Sequence, residues 1–332
     1  MRRSLAGWSV AVLLAAAGRL AAAEAGGASS GPRAAATANG QTIAAIDETR
    51  RVIVAFDASR PDARRVLVGP AAADAADFVV VGYLTGDVVA AVCRAGDDWS
   101  LCTYRTAPDG PVDAASPLQL IPIGTGSGRS QQVDLAVSHA RGWLAVTGLP
   151  RPLPPVLRAA VAGVRLGPLT DRGCPGLADD VIPVAAAVSP ADELVLALRT
   201  SSAEETLPAG GDEIGFFDLG GRELLRLPAG VHAIRGLEFG RGTNTLWVTA
   251  ADPAGAAGLW RLDAACATGR QVIRPTLVAS LDAAGDLVAS SPRAIVVVQG
   301  GSPERMRVID PTSLSDPASP GADPGPDPGD DR

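Results

Sequence analysis

A ten-residue pattern that recurs six times is the feature that most restricts how this chain can fold. Each copy contains the end of one apolar run, a polar turn and the start of a second apolar run. The copies begin 45, 56, 51, 51 and 49 residues apart and occupy residues 36–45, 81–90, 137–146, 188–197, 239–248 and 288–297. The flanking runs alternate or are β-branched, and no long helical pattern separates them. The pattern therefore predicts short antiparallel strands joined by tight turns.

A second landmark follows four of the six copies, where an apolar run ends in Asp. These runs occupy residues 52–57, 214–218, 259–263 and 306–310. An Asp carboxylate accepts hydrogen bonds from backbone N–H groups just downstream, which favours a turn. Each of these runs predicts a further strand that ends in a turn.

Four short antiparallel strands in each repeat are typical of a β-propeller blade. A single four-stranded sheet cannot bury both faces, whereas packing it against the next sheet around a closed ring can. Over residues 31–313 the sequence resembles the secreted bacterial β-propellers with WD-like or YVTN-type repeats. The resemblance implies an all-β, six-bladed propeller of four-stranded antiparallel blades, with seven blades as an alternative. A pair of β-sandwiches is the rival fold.

The predicted blades begin near residues 31, 77, 130, 180, 231 and 282. The last blade reaches the end of the patterned sequence after three strands, so it is predicted to lack its outer strand unless residues 24–32 pair there. An unpaired outer edge would accept a strand from a partner.

Both ends of the chain are predicted to lie outside the fold. Residues 1–23 combine a basic start, a short apolar run and small residues at Ala21 and Ala23, as in a secretory signal peptide cleaved after Ala23. That run is too short for a membrane span. Residues 24–30 are predicted to be a linker, and residues 314–332 a disordered, acidic, Pro-rich tail. The mature protein is therefore expected to be secreted or periplasmic.

Charge and composition exclude several classes of function. The formal net charge is −7, and all 29 basic residues are Arg. A mildly acidic chain argues against nucleic acid or an anionic membrane as the main partner, because both need a cationic surface. Schiff-base and P-loop chemistry need a Lys, which the chain lacks. With only two His residues, a His-rich metal site is also excluded.

The four cysteines suit an exported protein and allow three pairings. A symmetric hairpin with its turn at Asp97-Asp98 would place Cys93 opposite Cys102, at a separation suited to a disulfide. Two buried thiols are the alternative. Cys174 and Cys266 would then remain for each other, although a whole predicted blade separates them.

Several acidic and imidazole side chains near the starts of the predicted inner strands could line one end of the central channel. They are Asp77, Asp134, Asp180, His232 and Asp286. A funnel of this kind would bind a cation or a polar ligand. Six-bladed lactonase-type enzymes, which are similar in architecture, use a Glu/Asn/Asp metal ring. This sequence departs from them, because Asn39 and Asn244 both fall in turns at the opposite end of the ring.

The connections away from the pattern's tight turns are longer, and binding sites favour such variable loops on a rigid frame. We therefore expect an unknown protein or a small polar ligand to bind at that face, with the chain present as a monomer or bound to its partner. The sequence predicts an exported, non-catalytic scaffold with no cofactor and no metal. The alternative is a propeller enzyme, either a lactonase-like hydrolase or a quinoprotein-like oxidoreductase subunit.

Overall fold

The computed structural model describes most of the patterned part of the chain. The described residues are 34–37, 42–47, 50–57, 60–69, 77–106, 110–127, 132–171, 174, 177–178, 180–200, 211–240, 245–267, 270–283, 285–291, 294–298 and 306–310. The predicted signal peptide, linker and acidic tail lie outside these ranges. Within the ranges, no helix has the length and apolarity needed to span a membrane.

The described residues form six antiparallel sheets, each built from consecutive strands. Sheet 1 contains β1 (Ala34–Ala36), β2 (Thr42–Asp47), β3 (Val52–Asp57) and β4 (Arg60–Val68). Sheet 2 contains β5 (Asp77–Thr85), β6 (Val88–Ala95), β7 (Asp98–Arg105) and β8 (Gln119–Thr125). Sheet 3 contains β9 (Asp134–Ser138), β10 (Trp143–Thr147) and β11 (Val156–Ala162), with β12 (Arg165–Leu166) and β13 (Thr170–Asp171) both paired to β11.

The remaining three sheets follow the same order. Sheet 4 contains β14 (Val181–Val188), β15 (Leu194–Thr200), β16 (Glu213–Phe217) and β17 (Glu223–Pro228). Sheet 5 contains β18 (His232–Phe239), β19 (Leu246–Ala251), β20 (Ala257–Ala267) and β21 (Arg270–Ser280). Sheet 6 contains β22 (Asp286–Ser291), β23 (Ala294–Val298) and β24 (Met306–Ile309). In every sheet the ten-residue pattern spans the end of the first strand and the start of the second, and in sheets 2, 3 and 4 the connecting turn is also described, which confirms the predicted pairs of strands.

The first strands of the sheets surround a common axis. β1 contacts β5, β5 contacts β9, β9 contacts β14, β14 contacts β18, β18 contacts β22, and β22 returns to β1. The ring is therefore closed, and the fold is a β-propeller of antiparallel blades.

The predicted number of blades is wrong. Five sheets have at least four strands and are complete blades, rather than six or seven, and sheet 6 has three strands within the described residues. Sheet 6 lies between the fifth blade and the first. The sequence after Asp310, which lies outside the described residues, is rich in Pro, Gly and Asp and contains no apolar run of strand length.

The core lies between neighbouring sheets, and β6 shows why the sequence packs in this way. Val88, Ala90 and Val92 pack in one cluster with side chains of sheet 3, while Val89 and Ala91 pack in another with side chains of sheet 1. Side chains alternate between the two faces of a strand, so a continuous apolar run buries both faces. Each internal sheet can therefore be stable only between two neighbours.

The hairpin that carries two of the cysteines has a different register from the predicted one. Ala95 pairs with Asp98, so the turn is Gly96-Asp97, and Cys93 lies opposite Ser100 while Cys102 lies opposite Ala91. The predicted direct opposition of Cys93 and Cys102 is therefore wrong. Gly96 has a φ of +62°, which permits a tight two-residue turn one position earlier in the chain.

The disulfides themselves stay predictions. Cys93, Cys102 and Cys174 are buried free thiols in this structure. Cys174 follows β13 of sheet 3, whereas Cys266 lies in β20 of sheet 5, and the side chain of Cys266 is outside the described residues.

Candidate functional site

The residues of the predicted funnel all lie at one end of the ring, which we call the funnel end. Asp77, Asp134, His232 and Asp286 are the first residues of β5, β9, β18 and β22, and Asp180 directly precedes β14. First strands of equivalent sheets run in the same direction around the axis, so their starting residues share an end of the channel. The opposite end, where the first and second strands are joined, is called the turn end.

The described side chains of this set have separate surroundings. Asp77 is exposed and forms an ion pair with Arg51 of sheet 1, at 2.8 Å. Asp180 is also exposed, and the side chain of Asp286 is outside the described residues. Across the described residues, no three His, Cys, Asp or Glu side chains are grouped as a metal site. The cation-binding funnel thus stays a prediction.

Asp134 connects two blades. Its side chain is buried, Oδ1 accepts a hydrogen bond from the N–H of Leu135 at 2.6 Å, and Oδ2 accepts one from the N–H of Ala186 in sheet 4 at 2.7 Å. Burial raises the pKa of this carboxyl to about 7, although the two backbone donors act in the opposite direction. A carboxylate held in this way joins sheets 3 and 4.

A second buried carboxylate joins sheets 4 and 5. Asp212, which precedes β16, accepts two hydrogen bonds from Arg199 at 2.9 Å each, and Oδ2 also accepts the N–H of Ile234 at 2.7 Å. The Asp212 side chain is 3% exposed and that of Arg199 is 33% exposed. A bidentate Arg–carboxylate pair fixes orientation as well as charge, so this junction is rigid.

The backbone that Asp212 contacts is irregular. Ladder pairing between β18 and β19 skips from His232 to Gly236, and Ala233 has a φ of +50°. This left-handed residue frees the next backbone groups from the sheet, and side chains of other blades then bind them. One of those side chains is the buried Gln132 of the segment before β9, which donates to the carbonyl of Arg235 at 2.7 Å.

The irregular segment therefore brings sheets 3, 4 and 5 together at the funnel end. His232, at its start, is buried, and its Nδ1 atom has no hydrogen-bond partner among the described groups. A buried ring nitrogen without a partner is available to a polar ligand that reaches it. Sequence reasoning selected His232 but not Gln132, whose role depends on a contact between residues more than one hundred positions apart.

An apolar cleft lies at the turn end, between sheets 4 and 5. Its volume is about 330 Å³ and it opens to solvent. The apolar side chains that line it come from the β16–β17 hairpin and from all four strands of sheet 5, and they are Phe216, Leu224, Leu225, Leu227, Phe239, Leu246, Leu262 and Ile273. Small-molecule sites in proteins are typically concave, apolar and of this size or larger.

Polar groups stand at one side of the cleft, on the turn between β14 and β15. Ser189, Pro190, Ala191 and Glu193 complete its lining. The Ser189 hydroxyl donates to Oε2 of Glu193 at 3.0 Å. The cleft thus combines an apolar body with one carboxylate in its described lining.

A β-bulge shapes the cleft. Phe216 pairs with Leu225 and Phe217 pairs with Glu223, so Leu224 is an extra residue in β17. A bulge redirects side chains that strict alternation would place on opposite faces, and here both Leu224 and Leu225 line the cleft. The sequence analysis expected binding at the end with longer connections and missed this site. The adjacent leucines in an outer strand were the available signal.

Comparison with known proteins supports the fold but identifies no family. No family model matches the chain, and neither does any curated protein. Hydrazine synthase of Kuenenia stuttgartiensis is similar in structure at 12% identity, with a TM-score of 0.52 over 80% of this chain and 73% of that one. The PQQ-bound aldose sugar dehydrogenase of Streptomyces coelicolor has a TM-score of 0.50 at 11% identity, over 82% and 90% of the two chains. A gluconolactonase of Xanthomonas campestris has a TM-score of 0.47 at 16% identity, over 73% and 71%. At such identities a structural likeness concerns the fold alone.

Proposed function

We propose that this chain is an exported, non-catalytic propeller that binds a small amphipathic ligand in the cleft between sheets 4 and 5. The observation that carries the proposal is the cleft itself, a solvent-open space of about 330 Å³ with an almost wholly apolar lining. A ligand that fills it would remove apolar surface from water on both sides, which favours binding by about 25 cal/mol for each Å² buried.

The carboxylate in the lining defines the second part of the ligand. Glu193 accepts a hydrogen bond from the Ser189 hydroxyl and is the charged side chain among the described lining residues. The chain as a whole also carries a net charge of −7. We therefore expect a ligand with an apolar body and a cationic group, since a carboxylate stabilises a nearby cation and repels an anion.

The apolar part of the proposal is tested by titrating the full chain with the neutral apolar dye Nile red. Leu224 is 43% exposed and lines the cleft, so Leu224→Glu is expected to fold and to weaken dye binding by at least about tenfold. Tenfold corresponds to about 1.4 kcal/mol, which is less than the cost of a carboxylate in an apolar site. The matched control is Leu120→Glu in the outer strand of sheet 2, where Leu120 is 57% exposed and outside the cleft. Equal binding by both variants would place the dye elsewhere and refute the proposed site.

The charge preference is tested by displacement of the dye with decylamine and with decanoate, which share one alkyl chain and carry opposite charges at neutral pH. Decylamine is expected to displace the dye at lower concentration. Glu193→Gln should reduce that preference by about two- to fivefold, as for other partly exposed ion pairs. If decanoate competes better, or if the variant keeps the full preference, the cationic ligand is wrong.

Export and the enzymatic alternative have tests of their own. Mature protein from the native source is expected to begin at Glu24, and an intact Met1 would contradict export. Stoichiometric Ca²⁺ or Zn²⁺ that survives dialysis would favour a propeller enzyme over a binding module.

A further inference from the structure

The turn between β14 and β15, residues 189–193, touches both the cleft and the blade on the other side of sheet 4. Four of its five residues line the cleft, and they are Ser189, Pro190, Ala191 and Glu193. The fifth, Asp192, contacts sheet 3 instead. Its Oδ1 atom accepts a hydrogen bond from the Ser138 hydroxyl at 2.6 Å, and its Oδ2 atom forms an ion pair with Nε of Arg141 at 3.2 Å.

Ser138 is the firm part of this anchor. It is the last residue of β9 and is 2% exposed, and its Oγ atom also accepts the N–H of Arg141 at 3.2 Å. A hydroxyl that donates to a carboxylate at 2.6 Å makes a short, charge-assisted hydrogen bond. The Arg141 side chain is 58% exposed, so its ion pair contributes little by itself. The bond between Ser138 and Asp192 is therefore the main link from the turn to sheet 3.

The backbone of Asp192 has an uncommon conformation. Its φ is +64°, in the left-handed region that Asp tolerates better than most residues. Its N–H donates to the carbonyl of Ser189 at 2.9 Å, which closes the turn. A side chain held by sheet 3 favours this conformation over others, and Glu193 is the next residue in the chain.

The same turn holds the carboxylate of Glu193. The Ser189 hydroxyl donates to Oε2 of Glu193 at 3.0 Å and accepts the N–H groups of Ala191 and Glu193 at 3.2 and 3.1 Å. These bonds exist together only while the turn keeps its shape. The placement of the Glu193 carboxylate in the cleft therefore depends on the anchor at Asp192.

We propose that Asp192 is a positioning residue that sets the charge preference of the cleft. By binding Ser138 of sheet 3, it holds the β14–β15 turn in the shape that places the Glu193 carboxylate against a cationic ligand. Asp192 is outside the described lining, so it acts through Glu193 rather than on the ligand. This inference rests on the proposed function and adds to it that the third sheet helps to determine which ligand is selected.

The test separates the charge of Asp192 from its role as an anchor. The readout is the ratio of the concentrations at which decylamine and decanoate displace Nile red from the full chain. Ser138→Ala keeps the charge of Asp192 but removes the hydrogen bond, so it should reduce the preference for decylamine by about two- to fivefold, as for Glu193→Gln. Asp192→Gly should do the same, because glycine adopts the left-handed φ without contacting Ser138. Asp192→Asn should keep the preference to within about twofold, because its amide oxygen still accepts the Ser138 hydroxyl.

Two controls distinguish positioning from a general loss of structure. In a Glu193→Gln background, Ser138→Ala should cause no further change in the preference, because the residue through which it acts is already neutral. Arg51→Gly is the matched control, since Arg51 also has a left-handed φ, of +55°, and pairs with Asp77 of the next sheet, at the funnel end. It should leave the preference unchanged. All of these variants should bind Nile red within about twofold of the wild-type chain, because the apolar lining is intact.

The outcomes separate this inference from the proposed function. If the wild-type chain does not prefer decylamine, the proposed cationic ligand is wrong and this inference fails with it. If Glu193→Gln lowers the preference but Ser138→Ala and Asp192→Gly do not, only the positioning role is refuted. An equal loss in Asp192→Asn and Asp192→Gly would show that the charge of Asp192 acts directly, which also overturns the proposal.

Hydrogen exchange tests the anchor without any ligand. In Ser138→Ala the N–H groups of Asp192 and Glu193 should exchange at least about fivefold faster than in the wild-type chain, while those in the middle of β15 stay unchanged. Equal exchange at the turn in the two proteins would show that the turn keeps its shape without the anchor and would overturn the proposal.

Discussion

The buried carboxylate of Asp134 should make stability fall as the pH rises from about 4 to 7. Its pKa is raised from 3.8 to about 7 in the folded chain. The unfolded chain therefore releases this proton near pH 4, whereas the folded chain holds it until about pH 7. Stability falls with pH wherever the unfolded state binds fewer protons. Below pH 3.8 the group has no effect, and above pH 7 its full cost is present.

The magnitude follows from the size of the shift. Each pKa unit corresponds to 1.36 kcal/mol, so a change from 3.8 to about 7 amounts to about 4 kcal/mol. Asp134→Asn removes the charge and with it this pH dependence. The amide oxygen can accept only one of the two backbone N–H groups that Asp134 binds, so the variant loses about 1–3 kcal/mol at every pH.

The two effects predict a crossover. Asp134→Asn should be less stable than the wild-type chain at pH 4 and more stable at pH 8. The assay is urea unfolding at intervals across this range, with Asp180→Asn as the control for an exposed carboxyl at the same end of the ring. Parallel curves for wild type and Asp134→Asn would show that burial does not determine this pKa. If the variant becomes relatively less stable as the pH rises, the two N–H donors outweigh burial and the argument is reversed.

Two further predictions concern junctions at the same end. Asp212→Ala should lower the free energy of unfolding, measured by urea, by about 2–4 kcal/mol, because it leaves Arg199 without its bidentate partner. A loss below about 0.5 kcal/mol would refute the claim that this pair stabilises the junction between sheets 4 and 5. Gly148→Ala should prevent folding or lower the melting temperature by well over 10 °C, because the new Cβ would overlap the backbone carbonyl of Gln132. The control Gly96→Ala has a similar positive φ but open space around the new Cβ, so it should cost only about 1 kcal/mol. Equal melting temperatures for the two variants would contradict the steric argument.

Local sequence patterns predicted the strands and their order well. Every copy of the ten-residue pattern contains the end of one strand and the start of the next, because alternation and turn chemistry are local properties. The Asp at the end of the third strand behaves as expected in sheet 4, where Asp218 Oδ1 accepts the N–H groups of Gly220 and Arg222 at 2.9 Å each. The prediction is wrong in sheet 5, where Asp263 lies inside β20 and accepts a hydrogen bond from Arg261. The number of complete blades was harder to predict, because each copy of the pattern indicates only the first two strands of a sheet and not whether four strands follow one another.

The register of the cysteine hairpin shows a second limit. Placing the turn one residue later shifts every cross-strand pair by two, and the sequence offers Gly96-Asp97 and Asp97-Asp98 as neighbouring choices. The left-handed φ of Gly96 decides between them. The same shift converts Cys93 and Cys102 from directly opposed residues into diagonal ones, which removes the geometric argument for a disulfide between opposed residues.

The site itself could be predicted only in part because its contacts are between blades. The sequence analysis selected Asp134 and His232 from their positions at strand starts, and those positions are correct. It could not predict that Asp134 accepts a hydrogen bond from the N–H of Ala186, which lies 52 positions away in the sequence. It also could not locate the cleft, which is lined by residues of two sheets and shaped by a bulge at Leu224. Such features depend on how sheets meet, which the pattern within one sheet does not encode.

The distribution of polar contacts around the ring connects the fold with the proposed binding site. At the funnel end, Asp134 and Asp212 each take an N–H group from the next sheet, so these buried carboxylates are already bound to the protein. A buried carboxylate with its oxygens occupied by fixed donors is a poor ligand for an added cation, since binding would first require those hydrogen bonds to break. At the turn end, by contrast, Phe216 and Leu224 are only partly buried and border an open cleft. The Asp212 junction and the cleft lie between the same two sheets, so we expect the junction to limit how far sheets 4 and 5 move when a ligand binds.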